Sequence, residues 1–377
     1  MGDNFKLAAD VIAAAEAKPA DQALRQVLKA HRQLPPWDAA EISQIVFAFY
    51  RWQGWIREAG DLEAQLRRAR ALAHQFDRKP DGIPLAELRE RAVPSWVHEQ
   101  VAVSEAWLKS LQQQPRLWLR ARKGQGSGLA RTLQHCERAG DGPLSDTLEY
   151  QGEEDLFRST AFHAGDFEVQ DISSQAVGFI CDPLPGETWW DACAGEGGKL
   201  LHLSDLMENR GLIWASDRAD WRLKNLKRRA GRAKAFNYRA APWDGGAKLP
   251  TKTKFDGVLV DAPCSGVGTW QRNPHARWTT ELNDVAELSA VQVRLLAHAA
   301  QSVKPGGKLI YSVCTLTRAE TDDVADAFDK QAKDFEPLPM RDPLGILEAP
   351  ASRIWYWPQE CRGNGMYVAA WRRKSAS

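Results

Sequence analysis

Residues 255–278, FDGVLVDAPCSGVGTWQRNPHARW, constrain this chain more than any other stretch. Val258, Leu259 and Val260 form a short apolar run of the kind that makes a fully buried strand. The run stops abruptly in Asp261-Ala262-Pro263-Cys264-Ser265-Gly266, which puts a carboxylate and a thiol three residues apart at a strand's carboxyl end. Open α/β sheets hold their ligands at such ends. A second segment, LIYSVCT, finishes in the same way at Cys314. If the two strands neighbour one another in a parallel sheet, both thiols point into one crevice.

The surrounding order of elements suits such a sheet. After VQDISSQAVGFICDPLPGE come a strand TWWDACA (188–194), a Gly-rich loop (195–199), the helix LLHLSDLMEN stopped by Gly211, and a strand LIWASD (212–217). A basic helix (222–234), AFNYR, the central strand, a long amphipathic helix and a Lys304-Pro305-Gly306-Gly307 turn before LIYSVC follow, then a helix near 318–330. The tail, with WYWP and GNGMYVAAWRR, reads as a closing antiparallel pair. Alternation of this kind predicts a doubly wound α/β domain over 166–377. Residues 1–92 read as helices broken at Pro35-Pro36 and DRKPDGIP. Their charges run basic (Arg25, Lys29, Arg32, Arg51, Arg57, Arg67, Arg68, Arg70), which suits either a solvated face or an RNA-backbone surface. Between them, 93–165 read as a small α+β module: a strand RLWLRAR (116–122), a helix LARTLQHCERAG ending at Gly140, and a strand DTLEYQG. GQGSG (124–128) reads as a flexible loop without the Lys-Ser/Thr ending of a phosphate-binding P-loop.

Composition narrows the classes. The length of 377 residues allows two or three domains, and 44% hydrophobic with 26% charged residues is an ordinary globular profile. A formal charge of +1 points to no partner, so any nucleic-acid signal must be local. There is no apolar run near 18 residues, and the first twenty are Ala-rich, charged and helical rather than leader-like; a cytoplasmic monomer with no membrane contact is expected. The six cysteines include no C-x-x-C pair, which predicts reduced thiols and no metal. Sixteen tryptophans leave base stacking open as a role for a few.

In the first strand–loop–helix unit, Asp191 precedes Gly195, Gly197 and Gly198, which let backbone approach a ligand closely. Asp217 ends the next strand, where an acid can hold ribose hydroxyls. Asp244, in APWDGG, either contacts an adenine or caps a turn. The loop does not spell the G-x-G-x-x-G of a nicotinamide site, so a nicotinamide-dependent oxidoreductase is disfavoured. Two cysteines at strand ends are either inert buried residues or reactive thiolates. Beside a sulfonium cofactor, a thiolate suits methylation of a carbon that is not itself nucleophilic, such as C5 of a pyrimidine. Attack at C6 makes C5 enamine-like, and a carboxyl at the N3 edge stabilises the charge on the ring.

The motifs resemble a family. DAPCSGVGTWQRNPHARW resembles the D-A-P-C-S-G-x-G-x-x-R-R-x-P-x-x-x-W motif of the RsmB/Nop-type RNA cytosine-C5 methyltransferases, and YSVCT resembles their Y-S-T-C-S. VQDISSQ (169–175) resembles the entry to their catalytic domain, AVPSWV (92–97) and RLWLRAR their P-x-W and L-R-V-N segments, and AAEISQIVFAFYRWQGWI more loosely a NusB-like helical domain. The resemblance implies a class I methyltransferase domain over 166–377, a NusB-like RNA-binding domain over 1–92 and an RRM/ferredoxin-like module over 93–165. The implied reaction is methyl transfer from S-adenosylmethionine to a cytosine of structured RNA, above all ribosomal RNA. Cys314 would be the nucleophile, Cys264 would help release the product, Asp261 would contact the base, and Lys199 would lie near the reacting centre. Cys193, Ala194, Gly195, Glu196, Gly197, Gly198 and Lys199, with Asp217, Asp244 and Asp261, would bind the cofactor. Two departures stand out: the family's C-A-A-P-G-G-K is C-A-G-E-G-G-K, and its E-N-E is Glu320-Thr321-Asp322, a change expected on a helix face rather than in the chemistry.

For RNA, the acid-free helix RLKNLKRRAGRAK offers Lys227, Arg228 and Arg229. Arg272, His275, Arg277 and Trp278 follow the active-site loop and are expected to grip the nucleotide or its neighbours, with Trp270 or Trp278 stacking on a base or packing in the core. The rival to catalysis is a ribosome-assembly factor that binds RNA on a degenerate methyltransferase fold; such a scaffold needs neither thiol nor Asp261.

Overall fold

A computed structural model describes residues 3–375. The chain divides into two compact units, one of residues 1–115 with 266–284 and the other of 116–265 with 285–377. The expected boundaries at 92 and 165 do not coincide with this division. Residues 93–115 continue the helical unit, and the module's strands belong with the large sheet.

The first unit packs amphipathic helices around Ile42, Ile45, Val46, Trp52, Leu66 and Phe76, all buried. Its helices Pro36–Arg51 and Leu62–Arg78 have the expected proline break and an Asp61 cap, whose carboxylate accepts from the Ala64 amide at 2.9 Å. Residues 266–284 pass through this unit. Arg277 is 0% exposed there, and its guanidinium donates to the carbonyl oxygens of Ala92 (3.0 Å), Leu111 (2.8 Å) and Arg51 (3.4 Å).

The second unit holds two sheets. Strands β1 (Leu117–Ala121), β2 (Cys136–Arg138), β3 (Thr147–Tyr150) and β4 (Phe167–Val169) make an antiparallel sheet in the order β2-β3-β1-β4. The expected helix over 129–140 is corrected here. A helix occupies Gly126–Leu133, including part of the supposed GQGSG loop; Gln134 and His135 then take positive φ of 52° and 45°. That reversal swings Cys136 into register with Tyr150 rather than letting the helix continue.

The larger sheet contains β5 (Thr188–Asp191), β6 (Leu212–Ala215), β7 (Tyr238–Ala240), β8 (Phe255–Asp261), β9 (Val303–Val313), β10 (Phe335–Pro337), β11 (Arg353–Tyr356) and β12 (Met366–Arg373). Its order is β10-β12-β9-β8-β5-β6-β7, with β11 against β12; β5 to β9 run parallel and β12 antiparallel. Val258 and Val260 pack into one core and Leu259 into the other, so β8 is apolar throughout because both its faces are covered. The expected 304–307 turn falls inside the β9 range as a bulge: Phe255 pairs with Val303 and Gly257 with Lys308, so residues 304–307 loop out of the β8 register, with Gly306 at a φ of 79°.

The VQDISSQ motif joins the two sheets. Asp171 caps the helix Ile172–Cys181; Gln175 accepts from the Thr147 hydroxyl (2.6 Å) and donates to the Gln170 carbonyl oxygen (2.8 Å). Arg120 of β1 donates to Gln170 (2.7 Å) and pairs with buried Asp205 at 2.5 Å. Among the described residues, no helix is long and apolar enough to cross a membrane.

Candidate active site

The chain leaves β5 toward β6 and β7 on one side, then crosses back to place β8 and β9 on the other. Connections therefore diverge at the carboxyl ends of β5 and β8, leaving a crevice where the strand order reverses. A cavity of about 430 Å³ lies there, lined by Asp191, Asp217, Asp261, Cys264 and Cys314 among others.

At its reactive end the two thiols meet: Cys264 and Cys314 Sγ stand 3.4 Å apart. Asp261 and Ser312 are paired in the β8–β9 register, and the Ser312 hydroxyl donates to Asp261 Oδ1 at 2.8 Å. Lys199 Nζ holds Oδ2 at 2.7 Å. Burial works against the lysine's charge, but Asp261, Cys314 and Asp191 outweigh it, so its pKa is raised and it stays a cation beside the thiols.

Glu320 is the residue that sequence reasoning missed. It ends the short helical turn Arg318–Glu320 and is 0% exposed. Its carboxyl group accepts from the Ser265 amide (2.8 Å) and hydroxyl, the Thr317 hydroxyl (2.7 Å), the Thr315 hydroxyl (3.2 Å) and Gln292 Nε2 (2.9 Å). Ser265 follows Cys264 and Thr315 follows Cys314, so one side chain ties both thiol-bearing loops together. The only sequence signal was its position six residues beyond Cys314, in place of the first acid of E-N-E.

At the other end, Gly195 and Gly197 take left-handed φ of 54° and 88°, letting the loop fold back to start the helix Gly198–Leu206. A Cβ on Gly197 would meet Leu226 at 2.8 Å, whereas Gly195 and Gly198 face open space. Glu196 turns its carboxylate to Asn225, which donates to it at 3.1 Å. Asp217 accepts from the amides of Gly195 (3.1 Å) and Ala219 (2.8 Å), so it shapes the loop as well as lining the cavity. Asp244 caps its turn through the Gly246 amide (2.8 Å) and also lines the cavity. Cys193 and Ala194 line it too; burial, then Asp191, Asp261 and Asp217, hold the Cys193 thiol well above its ordinary range. Asp191 is buried, and neither carboxylate oxygen has a hydrogen bond of good geometry; Lys199 and then the Cys193 amide are the groups that favour its ionised form. Burial, then repulsion from Asp261, pushes it up to about 8.

The expected RNA contacts divide. Arg277 is corrected: buried on three carbonyl oxygens, it is a structural cation, lowered to about 9 by burial and by Arg51. Trp270 is 0% exposed and cannot stack on a base. Trp278 donates its indole N–H to Tyr50 O at 2.6 Å and carries Arg57 over its ring at 5.4 Å, and His275 packs edge-on against Tyr50. Arg229 is taken up by Glu168 (2.8 Å) and the Glu196 carbonyl oxygen (3.2 Å). Arg272, Lys227 and Arg228 are exposed.

A doubly wound sheet with a glycine loop after its first strand and an acid-lined crevice at the switch point defines a class I methyltransferase fold. A model of the family 16S rRNA methyltransferase RsmB/F matches residues 179–372, more than half of the chain, and the chain belongs to this family. It is 36% identical over 219 residues to a probable ribosomal RNA small subunit methyltransferase B of Bacillus subtilis, covering 56% of this chain and 49% of that protein. The chain thus spans about half the length of that relative. A ribosomal RNA small subunit methyltransferase B of Xylella fastidiosa is 32% identical over 317 residues, covering 78% of this chain and 69% of that one. The crystal structure of PH0851 shares the fold with a TM-score of 0.82 at 24% identity, over 98% of each chain.

Proposed function

We propose that this chain is a cytoplasmic, monomeric RNA (cytosine-C5) methyltransferase that uses S-adenosylmethionine and acts on structured RNA, small-subunit ribosomal RNA first. The observation that carries the reading is the pair of thiols 3.4 Å apart beside Asp261, itself held by Lys199 and Ser312. The names of the relatives supply the substrate.

The residues present fit the cofactor. Asp191 is an orphaned carboxyl group of the kind an ammonium satisfies, Asp217 and Asp244 suit ribose and adenine, and the open space at Gly195 and Gly198 leaves room at the loop. When bound, S-adenosylmethionine supplies an electrophilic methyl group. The protein's own work is to make C5 ready for it. The Cys314 thiolate bonds to C6, and the C5=C6 electron pair shifts to C5 as Asp261 steadies the N3 edge. Once C5 carries the methyl, Cys264 takes the C5 proton; the electrons of that C–H bond restore C5=C6, and the C6–S bond breaks to return Cys314 as thiolate. A target base in a helix must leave its stack to enter the cavity.

Cys264→Ala is expected to accumulate a protein–RNA adduct that survives denaturation, and Cys264→Ala with Cys314→Ala to form none. An adduct that survives Cys314→Ala and is lost in Cys264→Ala reverses the two roles; the absence of any adduct and of any methyl transfer from labelled S-adenosylmethionine refutes the reading.

A further inference from the structure

Strand β7 is the edge of the large sheet, three residues long and paired only with β6 among the described residues. Edge strands are usually covered or blunted, since their outer backbone groups invite a partner. Here a shallow groove of about 600 Å³ runs along it, lined by Trp214, Lys227, Phe236, Tyr238 and Arg239 among others. Phe236 is 75% exposed, the most exposed of the large hydrophobic residues described.

The charge around the groove is one-sided. Residues 221–239 contain eight Arg or Lys and no Asp or Glu. Arg229 and Arg232 are neutralised by Glu168, Arg222 lies 3.7 Å from Asp217, and Arg228 donates to Asn225. Lys224, Lys227, Lys234 and Arg239 make no ion pair among the described residues, and no acid lines the groove. A groove offering aromatic rings and unneutralised cations together matches a polyanion that carries π faces, which a protein edge strand or a simple anion does not. The groove also lies next to the active site in the chain: Ala241 lines it and Trp243 lines the catalytic cavity, while Trp214 stands three residues before Asp217.

We propose that this groove binds a single-stranded stretch of the substrate RNA, with a base stacked on Phe236 and phosphates on Lys227 and Arg239. The inference deepens the RNA-methyltransferase reading and rests on it for the identity of the strand. It also separates the basic helix into a structural half, Arg229 and Arg232, and an RNA-facing half.

The test uses the full chain and fluorescein-labelled decauridylate, followed by anisotropy over a range of salt. Phe236→Ala is expected to weaken binding by about fivefold to a hundredfold. Lys227→Ala and Arg239→Ala are each expected to reduce the slope of log K against log salt by about 0.7. All three side chains are on the surface, so thermal midpoints should stay at the wild-type value and report intact folding. Binding that is unchanged in all three variants overturns the proposal, as does a wild-type dimer that Phe236→Ala dissociates, which assigns the edge to a second copy. A parallel assay of methyl transfer to a small-subunit rRNA transcript separates the two readings. Methyl transfer with unaffected decauridylate binding in the variants sinks the groove alone; variant-sensitive binding without methyl transfer by the wild type sinks the enzyme reading and leaves the groove.

Discussion

Glu320 and Asp191 are both carboxyl groups removed from water, and their surroundings set them opposite tasks. Glu320 has a donor for each lone pair it presents and is a positioning group for the two thiol loops. Glu320→Ala strands several buried donors, which is expected to cost about 3 kcal/mol in urea unfolding. It should also lower kcat about a hundredfold through misplaced thiols, with the KM for S-adenosylmethionine unchanged. Glu320→Gln, whose oxygen can still accept from the amides while its NH2 faces rotatable hydroxyls, should recover most of that kcat. Asp191 has no such donors and holds its proton to about pH 8. A positively charged ammonium binds the ionised form, so affinity for labelled S-adenosylmethionine should rise with pH, by up to about tenfold per unit, to a maximum at about 8 and fall again above it as the ammonium gives up its own proton. Asp191→Asn should flatten that profile. The sign for stability is the reverse: the native state keeps a proton the unfolded chain releases, so this group favours folding at low pH, and its contribution is lost as pH rises toward 8. Cys264, Cys314 and Asp261 were legible because strand ends and family motifs mark them. Glu320 was not, since a Glu before Thr-Asp reads as the solvated start of a helix until the loops close over it.

At the level of elements, the glycine loop shows what periodicity carries and what it misses. The alternation of strands and helices after residue 187 was readable because buried parallel strands and amphipathic helices differ in period. The left-handed turn at Gly197 depends on how closely Leu226 of the helix Asp220–Arg232 approaches it. Gly197→Ala meets both the positive φ and that side chain, and should cost about 1–2 kcal/mol in denaturant melts while weakening cofactor binding. The helix expected over 129–140 failed for the complementary reason. Its apolar spacing continues past Leu133, but pairing of Cys136–Arg138 with β3 outweighs local helical preference. Arg120 makes a similar point across elements, since it joins β1 to Asp205 of the second sheet's first helix. Arg120→Ala leaves that carboxylate with only the more exposed Arg122, and should destabilise the unit by about 3 kcal/mol, measurable as a lowered urea midpoint.

Across the whole molecule, residues 266–284 decide how the chain is partitioned, because a stretch that follows Cys264 in sequence is packed in the helical unit. Arg277 belongs to that packing. Arg277→Ala removes donors from three buried carbonyl oxygens and should destabilise the protein by about 3 kcal/mol. S-adenosylmethionine affinity should be unaffected, because the cavity lies wholly within the second unit; equilibrium binding of the labelled cofactor checks this. By itself the sequence determined the doubly wound sheet, the glycine loop and the two thiols at strand ends, because strand period, turn residues and short motifs are local properties. Which cations face solvent, which carboxyl groups lose water, and which segment joins which unit were decided only by tertiary structure. Those outcomes depend on residues distant in the chain that exclude water from one another, as Ala92 and Leu111 do at Arg277 and Ser265 and Gln292 do at Glu320.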